Sequence, residues 1–244
     1  MPSPVKLYHQ EMQKNLGFFA TWLPGDLMRL GDIGVLRDGR FEKQGSLKEI
    51  GIAFAVAKAG AVQDVSYSAA AEKRIAASAD AEAAAFARTN IHLRFSSEGG
   101  FIFDALGMQP LEFKEPMKMA ESIVGAYERN RWKKEWLLVD TVYTAKSATI
   151  IVSQGTSADI VLGIKAGDAV AGMLNLANPK LGLSECSSSG QTIQVLGQQN
   201  LTPLYSCVRL RPSVLGRVSV EKLRGVTRVD NALAPVGLTD LLNL

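Results

Sequence analysis

Residues 65–105 read VSYSAAAEKRIAASADAEAAAFARTNIHLRFSSEGGFIFDA, and most of this stretch alternates between two chemically different faces. Side chains of a strand point alternately to opposite faces, so positions of one parity share a face. In residues 65–85 the odd positions are mainly alanine, with valine, tyrosine and isoleucine, whereas the even positions carry serine, glutamate, arginine and aspartate. In residues 90–105 the odd positions are mainly isoleucine, leucine and phenylalanine. Each run therefore predicts an extended ribbon with one apolar face.

The length of these runs indicates a segment that enters a membrane, because a soluble strand averages about 5 or 6 residues and a bilayer-crossing strand needs about 9 to 11. Antiparallel pairing keeps both apolar sets on one side only if opposed positions share parity. The connecting loop then has an odd number of residues, and Phe86, Ala87 and Arg88 are predicted to join Ala85 to Thr89. Lys73 interrupts the apolar face and would cost about 2 to 4 kcal/mol at the bilayer midplane.

A helix is the alternative for the first run, because Ala69 to Arg88 is rich in alanine, glutamate, lysine and arginine. A helical wheel gives no clean apolar stripe, since Lys73 and Asp80 would lie among the alanines of one side. Both interpretations remain open. A segment that is helix or coil in one state and strand in another would be a conformational switch.

The composition is that of an ordinary soluble globular protein, with 244 residues of which 47% are hydrophobic and 21% charged. A formal net charge of +3 is too small to indicate nucleic-acid binding, so no nucleic-acid partner is expected. The sequence shows no apolar run long enough for a transmembrane helix and no secretory signal at Met1–Pro4. Cys186 and Cys207 have no metal-ligand spacing. We expect a protein held in the cytoplasm.

The rest of the chain predicts an α+β fold in which helices flank a twisted, mostly antiparallel sheet with long amphipathic hairpins. Apolar periodicity predicts an amphipathic helix over Val5–Phe19 and a second helix that begins at Glu115-Pro116. The Asp38-Gly39 dipeptide predicts a tight hairpin. Residues 47–62 predict a buried helix of small residues. Residues 137–153, rich in β-branched side chains, predict a core strand, and residues 201–210 predict a closing strand.

A second long pair of strands is predicted around a turn at Asn178-Pro179. Apolar side chains occupy even positions before the turn and return on odd positions after it. The apolar positions before the turn are Ile160, Leu162, Ile164, Val170, Leu174 and Leu176, and those after it include Leu181, Leu183, Ile193 and Val195.

The sequence contains no arrangement typical of an active site. His9 falls in the first predicted helix and His92 on the polar face of a long strand, and neither histidine has a serine or cysteine partner in a motif. No phosphate-binding, dinucleotide or metal pattern is present. We therefore expect no enzymatic activity, no catalytic residue and no cofactor.

The order of these parts resembles the gasdermin pore-forming domain in its short bacterial form. The resemblance covers roughly Leu7 to Leu210 and rests on element order and alternation rather than on an invariant motif. Its first membrane hairpin corresponds to Val65–Ala105 and its second to Asp159–Val195. Bacterial members often carry an acylated cysteine near the N-terminus, but no cysteine precedes Cys186 here, so lipidation by that route is not expected.

The resemblance implies a latent pore-former whose residues 1–211 form the pore-forming domain and whose residues 212–244 form a linker and a short inhibitory peptide. After a protease removes the peptide, copies would assemble in the inner membrane as a large β-barrel and lyse the cell in antiphage defence. The partners implied are acidic membrane lipids, further copies of the chain and the activating protease. The residues expected to meet lipid are Tyr67, Ala69, Ile75, Ala77, Ala79, Leu93, Phe95, Phe101, Phe103, Ile160, Leu162, Ile164, Leu174 and Leu176.

Cations beside tryptophans after the second helix suit a membrane interface, with Trp132 and Trp136 at headgroup depth and the charges on anionic lipid. Cations that simply complement a helix dipole are the alternative. The predicted lipid-headgroup contacts are Lys6, Lys14, Arg129, Arg131, Lys133 and Lys134.

The C-terminal residues predict an inhibitory tail, because a small apolar patch of leucines is too short to fold alone. Its leucines are Leu238, Leu241, Leu242 and Leu244, and the cleavage region before them contains Arg217, Arg224 and Arg228. A C-terminal helix that completes the core is the alternative for the tail. For the whole chain, the alternative is a soluble β-rich binding or scaffold protein that never enters a membrane, since any sheet with one wet face alternates in this way.

Overall fold

The architecture is mostly antiparallel β-sheet, seen in a computed structural model. The structure describes residues 6, 8–10, 12–13, 17–21, 27–37, 40–77, 89–164, 175–181, 183–189, 192–210 and 233–235. In chain order the strands and the helix are β1 (Phe19–Ala20), β2 (Asp32–Arg37), β3 (Arg40–Ser46), β4 (Gln63–Ala69), β5 (Ala71–Ala77), β6 (Thr89–Phe95), β7 (Phe101–Glu112), α1 (Pro116–Glu128), β8 (Leu137–Ser153), β9 (Ala158–Gly163), β10 (Ser184–Ser189), β11 (Thr192–Leu210) and β12 (Leu233–Pro235).

Strand β8 is the centre of the main sheet. Along one edge it pairs with β11, and along the other it pairs first with β2 and then with β7. Strand β4 extends the sheet beyond β7, β3 extends it beyond β2, and β1 and β12 pair with β11. Strands β5, β6, β9 and β10 form a second sheet. All of these pairings are antiparallel, which confirms the predicted mostly antiparallel sheet.

The N-terminal residues confirm the predicted helix in part. Residues 8–10 and 12–13 are helical, and Tyr8 and Met12 are fully buried against one face of the main sheet. The Tyr8 ring lies edge-on to the Phe101 ring, with centroids 5.0 Å apart. The helix does not reach Phe19 as predicted, because Gly17 has a φ of +73° and the chain then enters β1. Glycine adopts that left-handed conformation without strain.

The predicted buried helix over residues 47–62 is wrong. A turn occupies residues 47–51, closed by the Ile52 N–H donating to the Leu47 carbonyl oxygen at 2.8 Å. Residues 52–62 then run extended along the end of β7, where Val56 forms a bridge with Phe113. Most of these side chains are at the surface. Small apolar residues fit either a helix or an extended segment, so contact with β7 decided the outcome.

The other predicted elements are confirmed with small adjustments. Strands β2 and β3 form the predicted hairpin, in which Arg37 is opposite Arg40. Helix α1 begins at Pro116 and packs through Met119 and Ile123 into a core with Trp132. Strand β8 has the predicted bounds, and the predicted closing strand forms the C-terminal part of β11.

Both long ribbons are strands, but each is broken in two, and their predicted connection is wrong. Directly opposed positions share parity as expected: Tyr67 faces Phe103 in β4–β7, and Lys73 faces Leu93 in β5–β6. The three-residue loop from Ala85 to Thr89 does not form, because Thr89 pairs with Ala77. The connection therefore comprises residues 78–88, which lie outside the described residues.

Candidate functional site: the folded-back sheet

The second sheet is built from strands that continue four strands of the main sheet. Strand β4 leads into β5 through Ala70, and β6 leads into β7 through residues 96–100. Strand β8 leads into β9 through residues 154–157, and residues 190–191 separate β10 from β11. The order is β11-β8-β7-β4 in the main sheet and β10-β9-β6-β5 in the second sheet. The second sheet is therefore a continuation of the main sheet, and we refer to it as the folded-back sheet.

The folded-back sheet turns its apolar face toward the main sheet. Phe95 and Leu93 of β6 and Leu162 of β9 are at most 1% exposed, and they pack with Ile102 and Ile151 of the main sheet. The opposite face carries exposed polar groups, including an ion pair between Arg94 and Asp159 with 3.0 Å between nitrogen and oxygen. In this form, the apolar side chains of the predicted alternating pattern are buried between the two sheets, and the polar ones face outward.

The main-sheet surface beneath the folded-back sheet is partly polar, which is unusual for an interior. Buried polar groups on this face are Asp104 of β7 together with Ser147, Thr149 and Ser153 of β8. Interior polar groups are costly unless they are hydrogen-bonded. The interface between the two sheets therefore has an apolar side, supplied by the folded-back sheet, and a mixed side, supplied by the main sheet.

Asp104 is the most completely paired of these groups. Its carboxylate is fully buried and accepts hydrogen bonds from the Ser66 hydroxyl at 2.6 Å, the Leu176 N–H at 2.8 Å and the Lys73 ammonium at 2.7 and 2.8 Å. Lys73, the cation that interrupts the apolar face of β5, thus reaches across the interface to the main sheet. Breaking one partner of a buried ion pair leaves an uncompensated charge, so this contact is energetically sensitive.

A turn at residues 175–177 inserts between the two sheets and satisfies two of the buried hydroxyls, those of Ser147 and Thr149. The Thr149 hydroxyl donates to the Leu176 carbonyl oxygen at 2.9 Å, and the Ser147 hydroxyl donates to the Ala177 carbonyl oxygen at 2.6 Å. The Asn175 amide donates to two carbonyl oxygens of the main sheet, at 3.3 and 3.4 Å. The turn belongs to the connection between β9 and β10, so it holds the second hairpin against the main sheet.

A few residues form the bend between the main sheet and the folded-back sheet. Ala70 has a φ of +50°, a left-handed conformation that few residues other than glycine adopt. Its carbonyl oxygen accepts the Ser96 N–H at 3.0 Å. A Cβ atom at Gly100 would lie 2.9 Å from the same oxygen, so a side chain there would force the backbone to shift. The bend thus rests on one strained residue and a glycine-containing turn.

The residues predicted to meet lipid are divided between the two faces of the main sheet. The predicted lipid contacts that belong to the main sheet pack around Tyr8 on one of its faces. The predicted lipid contacts that belong to the folded-back sheet pack against Ile102 and Ile151 on the other face. The first group comprises Tyr67, Ala69, Phe101 and Phe103, and the second comprises Leu93, Phe95, Ile160, Leu162 and Ile164.

The remaining predicted lipid contacts differ in their placement. The backbones of Ile75 and Ala77 lie in β5, opposite Ile91 and Thr89. Leu176 is fully buried but lies in a turn, so the prediction of a strand at that position is wrong. Leu181, predicted to begin the returning strand, ends a short 3-10 helix instead. Ala79 and Leu174 lie outside the described residues.

The cations after α1 are all exposed, but the two tryptophans beside them are not equivalent. Lys133 lies over the Trp136 ring, 5.5 Å from its centroid, and Arg131 donates a hydrogen bond to the Ile50 carbonyl oxygen. Trp132 is only 3% exposed and packs in the core, so its predicted position at headgroup depth is wrong for this form. Arg129 and Lys134 are exposed, Lys6 is half-buried, and Lys14 lies outside the described residues.

The C-terminal residues are described only at β12, which pairs with residues 208–210 of β11. This pairing places Leu233–Pro235 against an edge of the main sheet. The predicted cleavage residues Arg217, Arg224 and Arg228 lie outside the described residues. So do the predicted inhibitory leucines Leu238, Leu241, Leu242 and Leu244, and both interpretations of the tail stay predictions.

Sequence reasoning missed the polar residues beneath the folded-back sheet. Asp104 stands between Phe103 and Ala105, and a carboxylate within so apolar a run is a signal for a buried partner. Lys73 on the apolar face of β5 is the matching signal. No pattern in the sequence indicates that Thr149 would bond to the turn at residue 176, since that contact depends on the fold.

Within the described ranges, no helix combines the length and apolarity needed to span a bilayer. Over the same ranges, no three histidine, cysteine, aspartate or glutamate side chains gather in a way that could hold a metal ion.

Comparisons with known proteins find likeness in structure but not in sequence. No protein-family model matches the chain, and no curated protein sequence matches it. Among solved structures, the chain is similar to the cryo-EM structure of the gasdermin A3 membrane pore, with a TM-score of 0.40 and 10% sequence identity. That similarity covers 89% of this chain and 94% of the other.

Proposed function

We propose that this chain is a non-enzymatic pore-forming protein whose folded-back sheet opens outward and enters a lipid bilayer. The observation that carries the proposal is the shared strand order of the two sheets, β11-β8-β7-β4 and β10-β9-β6-β5. Because each outer strand continues one central strand, opening the corner requires no strand to change partner. The transition breaks contacts between the sheets and keeps the order of the strands within each sheet.

The faces of the two sheets match when the corner is opened. Leu93 of β6 and Phe101 of β7 are both odd-numbered, and Ile160 of β9 and Ile150 of β8 are both even-numbered, so each pair shares a face in a straight strand. The two apolar faces would join into one, and Asp104 would lie on the opposite, polar face. Membrane strands alternate in this way, with apolar residues toward lipid and polar residues toward water.

The lengths are sufficient for a bilayer. At about 3.3 Å per residue, a straight strand from residue 63 to residue 77 would span about 50 Å, compared with a hydrocarbon thickness of about 30 Å. Part of each straight strand can therefore stay in the protein body while its outer part crosses the membrane.

Self-assembly follows from the edges of such a sheet. Strands β5 and β10 are the edges of the folded-back sheet. In lipid their unpaired backbone groups would each cost several kcal/mol, and only a closed barrel pairs all of them. Further copies of the chain would supply the missing partners. The cations after α1 would bring the inactive protein from the cytoplasm to acidic lipids of the inner membrane.

Removal of the C-terminal tail is the proposed trigger. A protease that cuts near Arg217, Arg224 or Arg228 would separate the leucines and β12 from the body, and assembly would then permeabilise the membrane. The resemblance to bacterial gasdermins suggests that the resulting lysis serves in antiphage defence. A soluble binding or scaffold protein remains the competing interpretation.

Dye release from vesicles that contain anionic lipid tests the proposal, with the chain ending at Arg228 as the active form. Ala69→Asp puts a charge on the proposed lipid face, and Ser68→Asp puts the same charge on the neighbouring, water-facing position. We expect A69D to abolish dye release and S68D to retain it, because charge on the lipid face of a membrane strand costs up to a few kcal/mol in every copy.

Unfolding by denaturant in the absence of lipid is the control, since Ala69 is half-buried and a soluble defect must be separated from an insertion defect. Equal dye release by A69D and S68D, both folded, would exclude insertion by this strand. If the chain ending at Arg228 neither binds vesicles nor releases dye, the soluble binding protein becomes the better interpretation.

A further inference from the structure

We infer that Asp104, Lys73 and the turn at residues 175–177 form a clasp that locks the folded-back sheet to the main sheet. The clasp itself is a property of the closed form, and its role in controlling membrane insertion rests on the proposed function. It gathers an ion pair, the Ser66 hydroxyl and the Leu176 N–H on a single fully buried carboxylate.

The clasp connects three separate parts of the chain. Asp104 and Ser66 are opposite each other in the main sheet, Lys73 comes from the first outer hairpin, and the turn comes from the connection between β9 and β10. Each outer hairpin is thus tied to the same carboxylate. Release of Asp104 would weaken the attachment of both hairpins at once.

The ion pair is specific to the closed form. Lys73 is odd-numbered and Asp104 is even-numbered, and these positions lie on opposite faces once β5 continues β4 in a straight strand opposite β7. They meet here only because the corner at Ala70 turns the odd face of β5 toward the even face of β7. Opening the sheet must therefore break the pair, exposing Asp104 to water and Lys73 on the apolar face.

Amide hydrogen exchange of the full-length protein without lipid tests the clasp directly. Lys73→Met keeps the length of the side chain and removes its charge, which leaves Asp104 buried and uncompensated. We expect amides of residues 91–95 and 158–162 to exchange at least about tenfold faster, and those of residues 137–142 to keep their rates. Adding Asp104→Asn should return the outer strands toward the wild-type rates, because the buried charge is then absent.

Arg74→Met is the matched control. Arg74 is the next residue on β5, points outward and forms an exposed ion pair with Glu72 at 2.9 Å. Its loss should leave exchange in the outer strands within about twofold of wild type, since exposed pairs contribute little. If K73M does not fold, D104N alone, which preserves the shape of the carboxylate, gives the same comparison. Unchanged exchange in the outer strands of the folded variants overturns the inference, as does a uniform increase that includes residues 137–142.

Dye release separates this inference from the proposed function. In the chain ending at Arg228, K73M should release dye faster than wild type, because it weakens the closed form and removes a charge from the lipid face. Faster exchange of the outer strands without any dye release would leave the clasp established and refute the pore. Dye release by the unsubstituted chain ending at Arg228, together with unchanged exchange in full-length K73M, would support the pore and refute the clasp.

Discussion

At the scale of single residues, His9 is a buried base in the N-terminal helical segment. It is 4% exposed, and within the described residues neither ring nitrogen has a hydrogen-bond partner. Burial, with a smaller contribution from the positive charge of Arg40, lowers the pKa of His9 from 6.5 to about 4. The unfolded chain therefore binds a proton more readily than the folded chain between these pH values.

His9 is consequently expected to make the protein acid-sensitive. Its contribution to the free energy of unfolding is fully present above pH 6.5 and falls by up to about 3 kcal/mol as the pH decreases to 4. Denaturant unfolding at pH 7.5 and pH 5 measures this change. His9→Phe should make the two values more alike, whereas His92→Gln, at an exposed position, should not. The same pH dependence in H9F and wild type would contradict the assignment.

At the scale of elements, the turn after α1 is expected to provide the first contact with a membrane. Lys133 and Lys134 are exposed there, and each cation near an anionic surface contributes about 1 kcal/mol. Replacing both with glutamate should weaken binding to anionic vesicles at least about tenfold in a sedimentation assay. Added salt should reduce the difference, because it screens surface charge.

The matched control lies near the other end of the same helix. Lys114 and Lys118 are also exposed, and their replacement by glutamate changes the net charge by the same amount. Vesicle binding should respond to the first pair much more strongly than to the second. An equal loss in both variants would mean that net charge alone governs binding, and no loss in either would leave the cations with only a helix-dipole role.

At the scale of the whole molecule, the tail is expected to control the transition between the closed and open forms. A chain ending at Arg228 lacks β12 and the C-terminal leucines, whereas a chain ending at Pro235 keeps β12 on the edge of β11. We expect dye release to be small for the full chain, intermediate for the Pro235 form and greatest for the Arg228 form. The first step removes the leucines that we propose to dock on the body, and the second removes the pairing of β12 with β11.

Light scattering without lipid provides the corresponding control, since truncation can also cause simple aggregation. Each truncated chain should remain a small, soluble species until vesicles are added. A chain ending at Arg228 that stays monomeric and inert toward anionic vesicles would contradict autoinhibition. It would favour the tail as an element that only completes the core.

The sequence by itself determined the strands and their faces. Alternation is a local property, so it predicted the ribbons, the odd-numbered apolar face of β6 and the same-parity pairing of Tyr67 with Phe103. Pro116 at the start of α1 and the Asp38-Gly39 dipeptide in the sequence between β2 and β3 are equally local signals. These predictions held because a period of two or a turn residue acts within a few positions of the chain.

Only the tertiary structure decided where the ribbons bend and what covers them. A straight ribbon and a ribbon folded at Ala70 have the same alternation, so parity could not reveal the corner. Nor could it reveal that Thr89 pairs with Ala77, eight residues before the predicted partner Ala85. The choice depends on the burial of Phe95 and Leu162 against Ile102, and on the pairing of Lys73 with Asp104. Such contacts join residues distant in sequence, and their energy exists only once both sheets are in place.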